Sequence, residues 1–170
     1  MLTFRDYIQE ALDTPYPWEW VGYEYPPDEK WSAEFVTPNI TIRVDFEKAE
    51  SWWMTFYPTA ESMKAHGIPL LSKYDITGTG NARQILSTTI DILKDFINKE
   101  HPPDIKFSSS GQPKLGKTGV YRPDGRTRLY QRLTALASQM LPGYSQLSPN
   151  QTNTGVPNIF GIKKDGVTGR

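Results

Sequence analysis

The sequence predicts an α+β domain with a mixed sheet, in which an antiparallel meander is followed by strand, helix, strand, helix and strand. Three observations carry this. Four short aromatic-rich runs succeed one another between Trp18 and Pro58, with links short enough for hairpins. Apolar residues then recur at helical spacing in two long stretches, Ala82 to Ile97 and Leu129 to Met140. Short strand-like runs flank these stretches, and a strand–helix–strand step sets two strands parallel. The 170 residues suit one domain with a single core. The unit divides into a helix over 1–15, the meander over 16–58, a strand–helix core over 74–144, and a loop, last strand and flexible tail over 145–170.

Each element has a local reason. Thr3 can cap a helix whose Phe4, Tyr7, Ile8, Ala11 and Leu12 form one apolar stripe, and "TPYP" stops it. "WEWVGYEY" from Trp18 to Tyr25 alternates as a strand does, and "YPPDEK" turns the chain into "WSAEFVT", Trp31 to Thr37. A "PN" turn leads to Ile40–Glu47, where Ile40, Ile42, Val44 and Phe46 share one face. "KAES" connects this run to Trp52–Pro58. Thr59 to Lys73 is less regular, with a short helix before a loop, and Tyr74 to Ile76 is a brief strand. The long helix beyond Gly80 ends at "NKEHPP", because proline cannot continue it. Asp104–Ser110 is a strand, and "GQPKLGKTGVYRP" is a loop. Asp124 caps the second long helix, and "LPGY" ends it. Ser145–Pro157 is a loop by composition, and "NIFGIKK" is the last strand.

Composition narrows the function classes. Apolar residues make up 37% of the chain, yet five Trp, nine Tyr and seven Phe supply large buried surfaces. There is no cysteine, which excludes disulfides, thiolate nucleophiles and thiolate metal sites. No run of about 18 to 20 apolar residues spans a bilayer, and "MLTFRDYIQEALD" lacks a signal-peptide core. The chain is therefore expected to be soluble and intracellular, with no membrane partner. Net charge is zero but unevenly spread: residues 1–62 carry twelve acids and four bases, and residues 63–170 carry seven acids and fifteen bases. That polarity favours anionic ligands on the basic side, or pairing between the halves.

Gly78 and Gly80 flank Thr79 just before the long helix. Helix N-terminal amides lack intrahelical partners and carry positive potential. Glycine lets a backbone approach a phosphate closely. "TGTGNA" is thus either an anion cradle or an ordinary strand-to-helix turn. It is neither a Walker loop nor a complete dinucleotide fingerprint, since Arg83 stands where a third glycine would be.

Together with the order of elements and the later "RLYQRL", this junction resembles the GNAT family of acyl-CoA-dependent N-acyltransferases. The resemblance spans Trp31 to Tyr144 in element order, but only about ten residues in motif. It implies that acetyl-CoA or another acyl-CoA places its pyrophosphate on Gly78, Thr79, Gly80, Asn81, Ala82 and Arg83. It also implies that Tyr130, in the Leu129-Tyr130 pair, is the general acid for the departing thiolate. Asp75-Ile76-Thr77 stand ahead of Gly78, where the family usually has Arg or Gln. The chain is similar too to small proteins of tailed bacteriophages with a TGTG-helix segment. That likeness implies a virion or host-cytoplasm setting, with a phage or host protein as partner.

Acyl transfer also needs a base near the meander. Asp45 and Glu47 lie on the strand face opposite Ile42 and Val44, and Glu47 is taken as the catalytic one; both equally suit solvent-facing roles. His66 and His101 form no metal site, and His101 suits a helix end. Ser108-Ser109-Ser110 lacks the surroundings of a nucleophile. Two other functions stay open. One is a non-catalytic scaffold. The other, not favoured, is nucleic-acid contact through Lys106, Lys114, Lys117, Arg122, Arg126, Arg128 and Arg132, faced only by Asp124.

Overall fold

The computed structural model describes residues 14–22, 29–65, 67, 82–108, 114–115, 121–122, 125–147 and 159–166. The expected helix of Thr3–Leu12, the strand at Tyr74–Ile76 and the glycine junction lie outside them. Described elements run β1 (Trp18–Val21), β2 (Lys30–Val36), β3 (Thr41–Lys48), β4 (Trp52–Pro58) and α1 (Ala60–Ala65). There follow α2 (Ala82–Glu100), β5 (Asp104–Ser108), β6 (Lys114–Leu115), β7 (Tyr121–Arg122), α3 (Gly125–Met140), β8 (Tyr144–Gln146) and β9 (Ile159–Lys164).

The fold is α+β. Seven strands form one sheet in the order β1-β2-β3-β4-β5-β9-β8, and β6 and β7 make a separate two-stranded ladder. β1 to β4 are the expected antiparallel meander. β4 and β5, joined through α2, make the one parallel step, and β9 and β8 continue antiparallel. Alternation explains the layering. Ile42, Val44 and Phe46 of β3 and Trp52, Met54 and Phe56 of β4 all turn to one face and are buried there. α2 and α3 cover that face, with Phe96 of α2 stacked on Phe46 at 4.0 Å between ring centroids.

The first strand is fastened to α2 by polar contacts. Gln84 Nε2 donates to the Thr14 carbonyl, and the Tyr16 amide donates to Thr88 Oγ1. Trp18 Nε1 then donates to Asp91 Oδ2 at 2.8 Å, and Trp20 Nε1 to Asp95 Oδ2 at 2.7 Å. Trp31 Nε1, on β2, donates to Glu100 Oε1 at 3.0 Å. Every second residue of an extended chain advances about 6.6 Å, and one helical turn advances about 5.4 Å. The near match lets alternate residues from 14 to 20 meet successive turns of α2.

Two parts depart from expectation. Tyr144–Gln146, expected to be helix end and loop, pairs with β9, so the last strand sits between β5 and β8 rather than beside one neighbour. Three residues are too few to show a period. The pairing is set at long range, and the Tyr144 hydroxyl ties it down by donating to the Pro102 carbonyl at 2.6 Å. The expected loop after β5 contains the β6–β7 ladder, which sets Lys114 opposite Arg122.

Candidate functional site at β4 and β5

β4 lies between β3 and β5. Its ladder with β3 runs the whole way to Pro58 opposite Ile42. Its parallel ladder with β5 holds Trp52, Trp53 and Met54, opposite Ile105, Lys106 and Phe107. The residues that follow Ser108 lie outside those described, so the ladder is known only as far as Met54 opposite Phe107.

Tyr130 stands over this pair of strands. α3 presents it to the covered face, where its ring lies 5.0 Å from Phe56 of β4 and 6.3 Å from Phe107 of β5. It is fully buried, and its backbone carbonyl accepts a hydrogen bond from Thr134 Oγ1.

The opposite face of the same strands is polar. Asp45 is only 3% exposed there, although both long helices pack on the other side. Ser32 Oγ donates to Asp45 Oδ1 and the Tyr57 hydroxyl donates to Asp45 Oδ2, both at 2.7 Å. Lys30 Nζ lies 3.8 Å from Asp45 Oδ2 and 3.2 Å from Glu47 Oε1. Next to them, Arg43 Nε and Nη2 both reach Glu34 Oε1, and this contact raises the guanidinium still further above its usual range. Burial pushes the Tyr57 phenol upward, and its bond to Asp45 adds to the shift against a smaller opposing pull from Arg43. At neutral pH Tyr57 is therefore a protonated donor to a carboxylate.

The expected site residues are brought together only in part. Gly78, Thr79, Gly80 and Asn81 lie outside the described residues. Ala82 opens α2 directly after them, and Arg83 is exposed in its first turn. Tyr130 and Glu47 are not brought together. Tyr130 belongs to the helix-covered face, whereas Glu47 lies on the polar face opposite Trp53, where β4 pairs with β5. Its side chain is 62% exposed. The buried carboxylate of that face is Asp45, opposite Thr55. Strand alternation put Asp45 and Glu47 on this face equally; it could not tell that Asp45 is buried while Glu47 is exposed.

The basic segment is likewise divided. Lys106 lies over the Trp53 ring at 5.8 Å on the polar face, and Arg132 is exposed on α3, in the helix layer. Among the described residues, no group of His, Asp or Glu is placed to hold a metal ion, and no helix is long and apolar enough to cross a membrane.

No protein-family model matches the chain, and neither a curated protein nor a solved structure matches it.

Proposed function

We propose that this chain is a GNAT-like protein that binds acyl-CoA and transfers the acyl group to an amine. The observation that carries the reading is the placement of Tyr130. The tyrosine taken as general acid from the resemblance stands over the parallel pair β4 and β5, between Phe56 and Phe107. The element order supports it as well: a meander, then a helix, a strand parallel to β4, and a helix bearing Leu129-Tyr130. The acyl donor is consumed as a substrate. Its pyrophosphate is assigned to the Thr77–Ala82 stretch and Arg83, and its thioester to the neighbourhood of the Tyr130 hydroxyl. Tyr130 then gives its proton to the departing sulfur. Enclosure among Phe56 and Phe107 suits that task, because water kept from the reacting bond does not compete for the acyl group.

The test is thermal unfolding with CoA and acetyl-CoA. A ligand at about 100 times its Kd adds about 2.7 kcal/mol, or roughly 5–11 °C for a chain of this size. Gly80→Trp, placed in the assigned phosphate stretch, should abolish the shift. Tyr130→Phe should keep the shift and lose turnover. An unchanged melting temperature at millimolar acetyl-CoA would overturn the reading and leave a scaffold that acts through its surface.

A further inference from the structure

We infer that Trp18, Trp20 and Trp31 form a relay for one-electron oxidation, in which each indole passes its ring proton to its own carboxylate on α2. The relay is independent of the acyl-transfer reading above.

The rings stand in a row. Trp18 and Trp20 of β1 lie 5.4 Å apart between centroids, and Trp20 and Trp31 of β2 lie 5.1 Å apart, both edge to face. Electron exchange between side chains falls steeply with distance, so rings in contact share a missing electron. Phe96 meets Trp31 at 6.2 Å and the buried Trp52 at 5.0 Å, which links the core tryptophan to the row through one intervening ring.

Every ring of the row also has a base. Nε1 of Trp18, Trp20 and Trp31 donates to Asp91, Asp95 and Glu100 at 2.8, 2.7 and 3.0 Å. The indole N–H is a donor only, and it becomes strongly acidic once the ring has lost an electron. A carboxylate already in place takes that proton without rearrangement. Packing accounts for the stacked rings, but not for a carboxylate on each of three nitrogens. Among the described residues, Trp52 and Trp53 have no such acceptor. Each has a lysine ammonium over its ring, Lys48 and Lys106, both at 5.8 Å. A cation there is attracted by the intact electron-rich face and opposes loss of an electron from it. Lys99 lies 5.2 Å over Trp20 and pairs with Asp95, so Trp20 is a station of passage and the vacancy rests on Trp18 or Trp31. The chain has no cysteine, so no thiol competes for the oxidant.

The cycle balances. A diffusing radical oxidant, the carbonate radical anion, takes one electron from the row and becomes carbonate. The Nε1 proton moves to the carboxylate and leaves a neutral indolyl radical. A small reductant, ascorbate, returns one electron, and the proton goes back to nitrogen. The oxidant gains the electron that the reductant loses, and the protein ends as it began.

The experiment generates carbonate radicals by pulse radiolysis of the whole chain. It compares wild type with a variant carrying Asp91→Asn, Asp95→Asn and Glu100→Gln, whose amide oxygens accept the indole hydrogen but cannot take the proton. Wild type should show the absorption of the neutral indolyl radical from the first resolved moment. The amide variant should pass first through the absorption of the protonated radical. Mass-spectrometric mapping without ascorbate should place oxidation on Trp18 and Trp31 in preference to Trp53, and ascorbate should suppress it. Trp31→Phe should raise oxidation at Trp18, and should leave it unchanged when Trp20→Phe has already broken the row. The relay is overturned by identical transients in wild type and the amide variant, or by wild-type oxidation as heavy at Trp53 as at Trp18 and Trp31. It is equally overturned if Trp31→Phe acts on Trp18 alike with and without Trp20. The wild-type map needs no variant, so it decides even where a substitution impairs folding.

Discussion

The two faces of β2, β3 and β4 bury their residues by opposite means. On one face Phe35, Ile42, Val44 and Phe46 are closed over by α2 and α3, and apolar contact over a wide area does the work. On the other face Asp45, also buried, accepts one hydrogen bond from Ser32 and one from Tyr57. The difference lies in tolerance. An apolar layer loses stability in proportion to what is removed and can partly relax. A buried polar group that loses its hydrogen-bond partner pays its desolvation without return. The helix-covered face holds the fold together, and the polar face fixes particular groups in particular places.

The comparison can be broken most strongly at the Phe46–Phe96 stack. Phe46→Ala should cost about 3–5 kcal/mol in denaturant unfolding, with Tyr57 still paired to Asp45 in the folded fraction. On the polar face Ser32→Ala removes one charged-acceptor hydrogen bond and should cost about 1.5–3 kcal/mol. A cost near zero would mean that solvent already reaches Asp45. Gly161 tests the polar face at its far side, because a Cβ there would meet Leu147 Cδ1 at 2.6 Å and the Ile105 carbonyl at 2.7 Å. A backbone oxygen cannot swing aside, so Gly161→Ala should cost about 1–3 kcal/mol. The smallest effect concerns Asp95. Burial pushes its carboxyl up, but hydrogen bonds from Lys99 and Trp20 outweigh it and leave it below its usual value. A depressed folded pKa stabilises the fold above the unfolded value and loses that contribution as pH falls through the folded one. Asp95→Asn should therefore flatten the acid limb of the stability curve, and an unchanged limb would show that the Trp20 contact carries no charge-dependent energy.

Much of the architecture was legible because its periods are long and its links short. Ile42, Val44 and Phe46 announced a half-buried strand, and the spacing from Ile85 to Ile97 announced α2. Tyr144–Gln146 was not legible, since a strand of three residues exists only by virtue of its partner. His101 was placed at a helix end from the prolines that follow, but its φ of 48°, a left-handed turn usually given to glycine, is set by the geometry of the exit and not by its own type. In the candidate site, Tyr130 came from a motif, and strand alternation could not tell that Asp45 is buried while Glu47 is exposed. Tyr57 was invisible as a site residue: one tyrosine in an aromatic strand carries no sign of what its hydroxyl meets.

The indole contacts along α2 have an optical consequence. Trp18, Trp20 and Trp31 each hand their ring hydrogen to a carboxylate on a single helix, and Trp18 and Trp20 belong to the outermost of the described strands. Were that strand to peel away while the rest of the sheet stayed intact, those rings would pass together from fixed anionic neighbours to water. Intrinsic ultraviolet emission is thus a built-in gauge of edge-strand detachment, and it can be read without adding any label to the chain.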